Sequence, residues 1–348
     1  MMDQIANSLP PPALEDLAHR KFGDLTEAER KMLRALPDGV LANCGDPAKG
    51  LDDPANDPEY AGMWDTDHEI RAALIRWLCV NQDARRRIDA QGIVVQCAKI
   101  HGLLDLSFVS VDLPLVLLRC WLVNELRLTH ADLLVLALNG THAQRIQADG
   151  LRVKGDVVLA EGFRCEEKVS LIGSEIGGSL ICFGGHFRGV CSRGRDALVA
   201  DGARIKGSVH LTNRFRAEGQ VHLAGVRIGG NLECDAGNIV GAMENGARGA
   251  KVRGTALQMV GTRVEGSVFL RNGFSAEGEV NLTVAKIGGA LDCAGASFCG
   301  DVQILPGHGR QANRRNRHRR GRRGDWGQRL SSRRLPGRRR GATTGNGD

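Results

Sequence analysis

Apolar positions follow two different periods along this chain, and the change falls near residue 90. Before it the period is helical. Thr26-Glu27-Ala28-Glu29 is a capping box, in which Thr26 accepts from the backbone and Glu29 reaches back. It opens a short helix with Met32, Leu33 and Leu36 on one face, ended by Pro37 and Gly39. A loop rich in Asp, Pro and Gly runs to about Pro58. A second capping-box pattern, Thr66-Asp67-His68-Glu69, precedes Ile70, Ala73, Leu74, Trp77 and Leu78, a stripe that predicts a packed helix. Asp65, Asp67, His68 and Glu69 read as charge at a helix N-terminus rather than as metal ligands. Residues 1–90 are therefore expected to form a helical cap on a repeat stack.

From Gly92 the helical period gives way to a repeat, Ile/Val-x-Gly-x-Val/Leu-x-Leu/Cys. Its copies begin at Ile100, Val153, Ile176, Ile205, Ile228, Val264 and Ile287. The intervals Val153 to Ile176, Ile205 to Ile228 and Val264 to Ile287 are identical in length. Within each pair a second doublet recurs (Val169/Leu171, Val221/Leu223, Val280/Leu282), preceded by Phe163, Phe215 or Phe274. Apolar doublets thus return at half the repeat interval, with strict alternation inside them, the pattern of short strands with one buried face. The expected fold is mainly β, a right-handed β-solenoid (β-helix) over residues 91–306.

Gly102, Gly155, Gly178, Gly207, Gly230, Gly266 and Gly289 are read as one register, where the chain bends sharply or admits the next backbone closely. Cys182, Cys234 and Cys293 occupy the last apolar slot, which Leu159, Leu211 and Leu270 fill in the alternate copies; they read as small hydrophobes. The residue before the repeat Ile/Val is often basic. Arg204, Arg227, Arg263 and Lys286, with Arg152 below them, form a candidate polyanion-binding series that Glu175 interrupts. Glu218 and Glu277 share a nearby loop position.

Charge sharpens this picture. The net charge of +7 hides a mildly acidic body, since residues 307–348 hold 14 Arg against two acids. That tail is expected to be disordered and would bind nucleic acid or acidic surfaces non-specifically, Arg314, Arg315, Arg319 and Arg320 included. An abrupt Arg/Gly enrichment is also what a shifted reading frame would produce. Ten cysteines without a CxxC pair suit a reducing cytoplasm. Neither a signal peptide nor a spanning helix is expected.

The run Glu69 to Cys79, then Leu104-Asp105-Leu106, then the repeated Ile-Gly-Gly-x-Leu-x-Cys units resemble a family of bacterial pentapeptide-like β-helix proteins. The resemblance covers roughly residues 60–300 and implies the fold. Some members carry the label "membrane-associated oxidoreductase", which implies an alternative redox function and a peripheral membrane location, but supplies no catalytic residues. Gly307-His308-Gly309-Arg310-Gln311-Ala312 fits a dinucleotide fingerprint, yet no apolar helix follows it, so no cofactor is expected. The sequence therefore favours a non-enzymatic scaffold or interaction module, with no catalytic, cofactor or metal residues assigned.

Overall fold

The computed structural model describes residues 13–189, 196–245 and 251–304. Very short strands dominate, because each apolar doublet can bury only one face before the chain must turn. The strands stack into four parallel sheets of ten, ten, nine and eight strands. One circuit visits them in order: face 1 (Ile93–Gln96), face 2 (Lys99–His101), face 3 (Leu104–Asp105) and face 4 (Ser110–Val111). Face 1 then resumes at Leu115, in register with Ile93. The fold is a four-sided β-solenoid.

One coil runs from Leu136 to its face-1 partner Val157, and the next from Val157 to Leu180. The repeat interval is therefore one whole coil, and the doublet spacing is half of it, two faces of four. This corrects the register of the first repeat copy. Ile100 lies on face 2, whereas Val153, Ile176, Ile205, Ile228, Val264 and Ile287 stack on face 4. Gly102, at φ 92°, turns the chain from face 2 to face 3 and does not belong with the later glycines.

Those later glycines lie outside the left-handed region; what they provide is close approach. A Cβ on Gly178 would stand 2.1 Å from Asp156 Oδ1, and on Gly207 2.3 Å from Ser179 Oγ. The residue after each glycine explains the crowding. Asp156, Ser179, Ser208, Asn231 and Ser267 each place a side-chain oxygen where it accepts the backbone N–H of the next coil, at 2.7–3.1 Å. A short polar residue caps the corner above it, and only glycine leaves room for that oxygen.

The interior alternates with a period of two coils. In one coil Phe163 fills the corner beside the small Cys165; in the next Gly185 leaves the corner open and Phe187 fills the strand position. Phe215/Ala217, Gly237/Ile239, Phe274/Ala276 and Ala296/Phe298 continue the exchange. Phe163, Phe187 and Phe215 consequently stack with centroids 5.2 Å apart. The Leu/Cys slot follows the same rhythm. The coils of Phe187 and Ile239 are longer than their neighbours, and in the second a hairpin of Met243–Asn245 with Lys251–Arg253 stands between faces 2 and 3.

Helices α1 (Leu14–Phe22), α2 (Glu27–Ala35) and α3 (Ala72–Val80) join one continuous apolar core with the first coils. The Thr26/Glu29 capping box is present. Fully buried Glu29 also grips Arg71, with Oε1 2.7 Å from Nε and Oε2 2.6 Å from Nη2. The second capping box is not formed. Thr66–His68 is a single 3-10 turn, Glu69–Arg71 is a strand on face 2, and α3 starts at Ala72. Ile70 fits a helical stripe and a strand equally, and pairing with Ile100 decides between them. Strand Ala42–Asn43 likewise joins face 1, so the N-terminal segment contributes strands as well as helices. No helix among the described residues is long and apolar enough to cross a membrane.

Candidate anion-binding face

On each short strand of face 4 the second residue points inward and the first outward. The apolar column Val153, Ile176, Ile205, Ile228 and Val264 is buried. Strand pairing therefore sets the outward residues one above another: Ser110, Asp132, Arg152, Glu175, Arg204, Arg227, Arg263 and Lys286. The four cations expected from the sequence occupy four consecutive coils, all of them exposed.

The two halves of this column differ electrostatically. Below, opposite charges alternate: Arg152 donates to both oxygens of Asp132, at 2.5 and 3.1 Å. Those bonds, with one from Ser110, hold the Asp132 carboxyl below its ordinary pKa. Glu175 accepts from Arg204 at 2.7 Å, so the carboxylate that interrupts the basic series is the partner of the cation above it. Above, Arg263 bonds Glu265 at 2.5 Å. Arg227 and Lys286 have no ion pair among the described residues, and neither has Lys206 in the neighbouring column. With Arg204 paired to Glu175, the upper half therefore sets Lys206, Arg227, Arg263 and Lys286 against Glu265.

That neighbouring column alternates Lys154, Gly177, Lys206, Gly229, Glu265 and Gly288. Each glycine lies against the carbonyl of the residue one coil below, where a Cβ would stand 2.1 or 2.2 Å from oxygen. Beside Arg227 and Lys286 the surface thus carries no second side chain. A shallow groove along the lower half is lined by Asp132, Leu133, Leu134, Arg152, Lys154 and Arg204.

Other residues singled out in the sequence take structural places. Asp65 accepts the Asp67 N–H at 3.1 Å and faces His68 Nδ1 at 3.0 Å, while Glu69 binds Lys99 at 2.7 Å. Among the described residues no cluster of three His, Cys, Asp or Glu is placed to hold a metal. Cys182, Cys234 and Cys293 are buried. Burial pushes the Cys293 thiol up to about 11 and the other two still higher, which disfavours the thiolate a ligand or nucleophile needs. Glu218 gathers Arg216 at 2.7 Å, His186 at 3.2 Å and Arg188 at 3.4 Å on face 2, and Glu277 pairs with Arg253 at 3.3 Å. Arg314, Arg315, Arg319, Arg320 and the 307–312 fingerprint lie outside the described residues.

The sequence reading missed the corner oxygens, although a signal was present: Asp, Ser or Asn follows each register glycine from Gly155 to Gly266. No family model, no curated protein and no solved structure matches this chain.

Proposed function

We propose that the chain is a non-enzymatic β-solenoid scaffold or interaction module that holds an anionic partner along the upper half of face 4. The observation that carries this reading is the unbroken column Arg204, Arg227, Arg263 and Lys286, fixed at the strand spacing by backbone pairing. Side chains on a stacked sheet cannot drift apart as they can on loops. Their charges therefore add over a line about 14 Å long, three strand spacings. Two of the four, Arg227 and Lys286, are unpaired among the described residues, so these two can meet an anion without first breaking an ion pair, whereas Arg204 and Arg263 would exchange Glu175 and Glu265 for it.

The test is binding of the full chain to a panel of polyanions (heparin, duplex DNA and polyglutamate) before and after Arg204→Glu, Arg227→Glu, Arg263→Glu and Lys286→Glu combined. At least one interaction should weaken 10-fold or more in low salt while the circular dichroism spectrum is unchanged. Unchanged binding across the panel would refute the assignment of face 4. A flavin or nicotinamide spectrum retained by the purified chain would instead support the redox alternative.

A further inference from the structure

We infer that the partner of face 4 is the sugar–phosphate backbone of double-stranded nucleic acid, contacted without sequence readout. The inference rests on the reading of face 4 given above and adds the chemical class of the partner. Four features favour it. The cations form a line rather than a plane, which suits a stiff linear polyanion better than a lipid surface. Three of the four are arginines, whose guanidinium fork matches phosphate oxygens in pairs.

The third feature is the lack of aromatic side chains on this face. Its outward positions from Ser110 to Lys286 and the neighbouring column from Lys154 to Gly288 carry none. Single-stranded nucleic acids are held largely by bases stacked on aromatic rings, so a platform of that kind is missing here. A duplex keeps its bases stacked internally and presents phosphates alone. The fourth is clearance. Gly229 and Gly288 leave the surface beside Arg227 and Lys286 bare, so a bulky backbone can come close to both cations. Such a contact supplies affinity through counterion release and carries no base specificity.

The salt dependence of binding tests this in the full chain, with a mixed-sequence duplex, the matching single strand and heparin as probes. Each phosphate contact on duplex DNA contributes about −0.9 to the slope of log K against log salt. Arg227→Gln with Lys286→Gln should therefore make the duplex slope shallower by about 1.8. Arg20→Gln with Lys21→Gln removes the same charge from exposed positions on α1 and should leave the slope unchanged. This pair also controls for the basic residues 307–348, whose contribution is common to every variant.

A duplex slope that ignores Arg227 and Lys286, or that shifts equally in the α1 variant, would overturn the inference. If heparin or the single strand showed the ladder-dependent slope and the duplex did not, the duplex assignment would fall while the anionic reading of face 4 stood. Loss of ladder dependence with all three probes would remove both.

Discussion

Placing a methyl group on Gly230 tests whether the register glycines exist for close approach. The Cβ of Gly230→Ala would stand 2.3 Å from Ser208 Oγ and 3.2 Å from Gly207 C and O. Overpacking of that kind costs about 1–3 kcal/mol. Ser208→Ala alone removes the 3.0 Å bond that Ser208 Oγ accepts from the Asn231 N–H, at about 1 kcal/mol. In the double variant the offending oxygen is gone, so the combined loss should fall short of the sum by about 1–2 kcal/mol. Gly225 is the control: at φ 66° with nothing within 4 Å, its alanine variant suffers backbone strain only and should add simply to Ser208→Ala. Equilibrium urea unfolding followed by far-ultraviolet circular dichroism measures all five variants. Additivity within about 0.5 kcal/mol at Gly230 would refute the close-approach account.

Three further outcomes follow from the core and the cap. Ile228→Asp should abolish the folded β signal, because it sets an unpaired charge between coils, whereas Cys234→Ala should lower the unfolding midpoint only modestly; loss of a bound metal in the latter would contradict the packing role. Glu29→Ala strips a fully buried carboxylate from Arg71, which stays partly exposed, and should cost about 1.5–3 kcal/mol, with proteolysis opening the chain between α2 and the first coil; a midpoint shift below a degree would argue against the staple. His142 faces Arg164, Glu59, Asp57 and Glu166, and burial, then Arg164, holds its pKa below the ordinary imidazole value. It binds fewer protons folded than unfolded, so its contribution is present above about pH 6.5 and is lost as pH falls through the folded value. His142→Gln should flatten that loss in denaturation midpoints taken from neutral to mildly acidic pH, and an unaltered pH profile would contradict the assignment.

The face-4 column could be read from the sequence because it depends on a single rule: the residue before an inward Ile or Val must point outward. The regular interval between repeat copies then sets Arg227 over Arg204, while Arg204 lies over Glu175 across a longer coil and is placed there by the motif itself. What spacing could not resolve was whether one interval held two strands or four, since apolar doublets look alike whichever face they join. The earliest coils, Ile93 to Leu115 and Leu115 to Leu136, are slightly shorter and lack the Gly-Ser corner, so Gly102 stands outside the register that its local motif suggests. The face-2 strand at Glu69–Arg71 is hidden by Ile70, whose place on a helical stripe and in a strand is the same. The pairing of Glu29 with Arg71 joins segments distant in sequence and has no local signal. Two-coil alternation is legible in Lys154, Gly177, Lys206, Gly229, Glu265 and Gly288, whereas the parallel alternation of Phe rings between corner and strand positions emerges only in the packed interior.

Whether the outward residues of face 4 stack coil upon coil is the claim on which the anionic reading rests, and a pulsed electron–electron resonance distance measures it directly. Asp132 and Lys286 lie far apart in sequence but only six pairing steps apart in the column. Spin labels on Asp132→Cys and Lys286→Cys should give a narrow distribution centred at about 29 Å before allowance for the linkers. Labels on Arg204→Cys and Lys286→Cys, three steps apart, should fall to about half that. A broad distribution, or two distances that fail to scale with the number of coils, would contradict the stacked column and with it the proposed site.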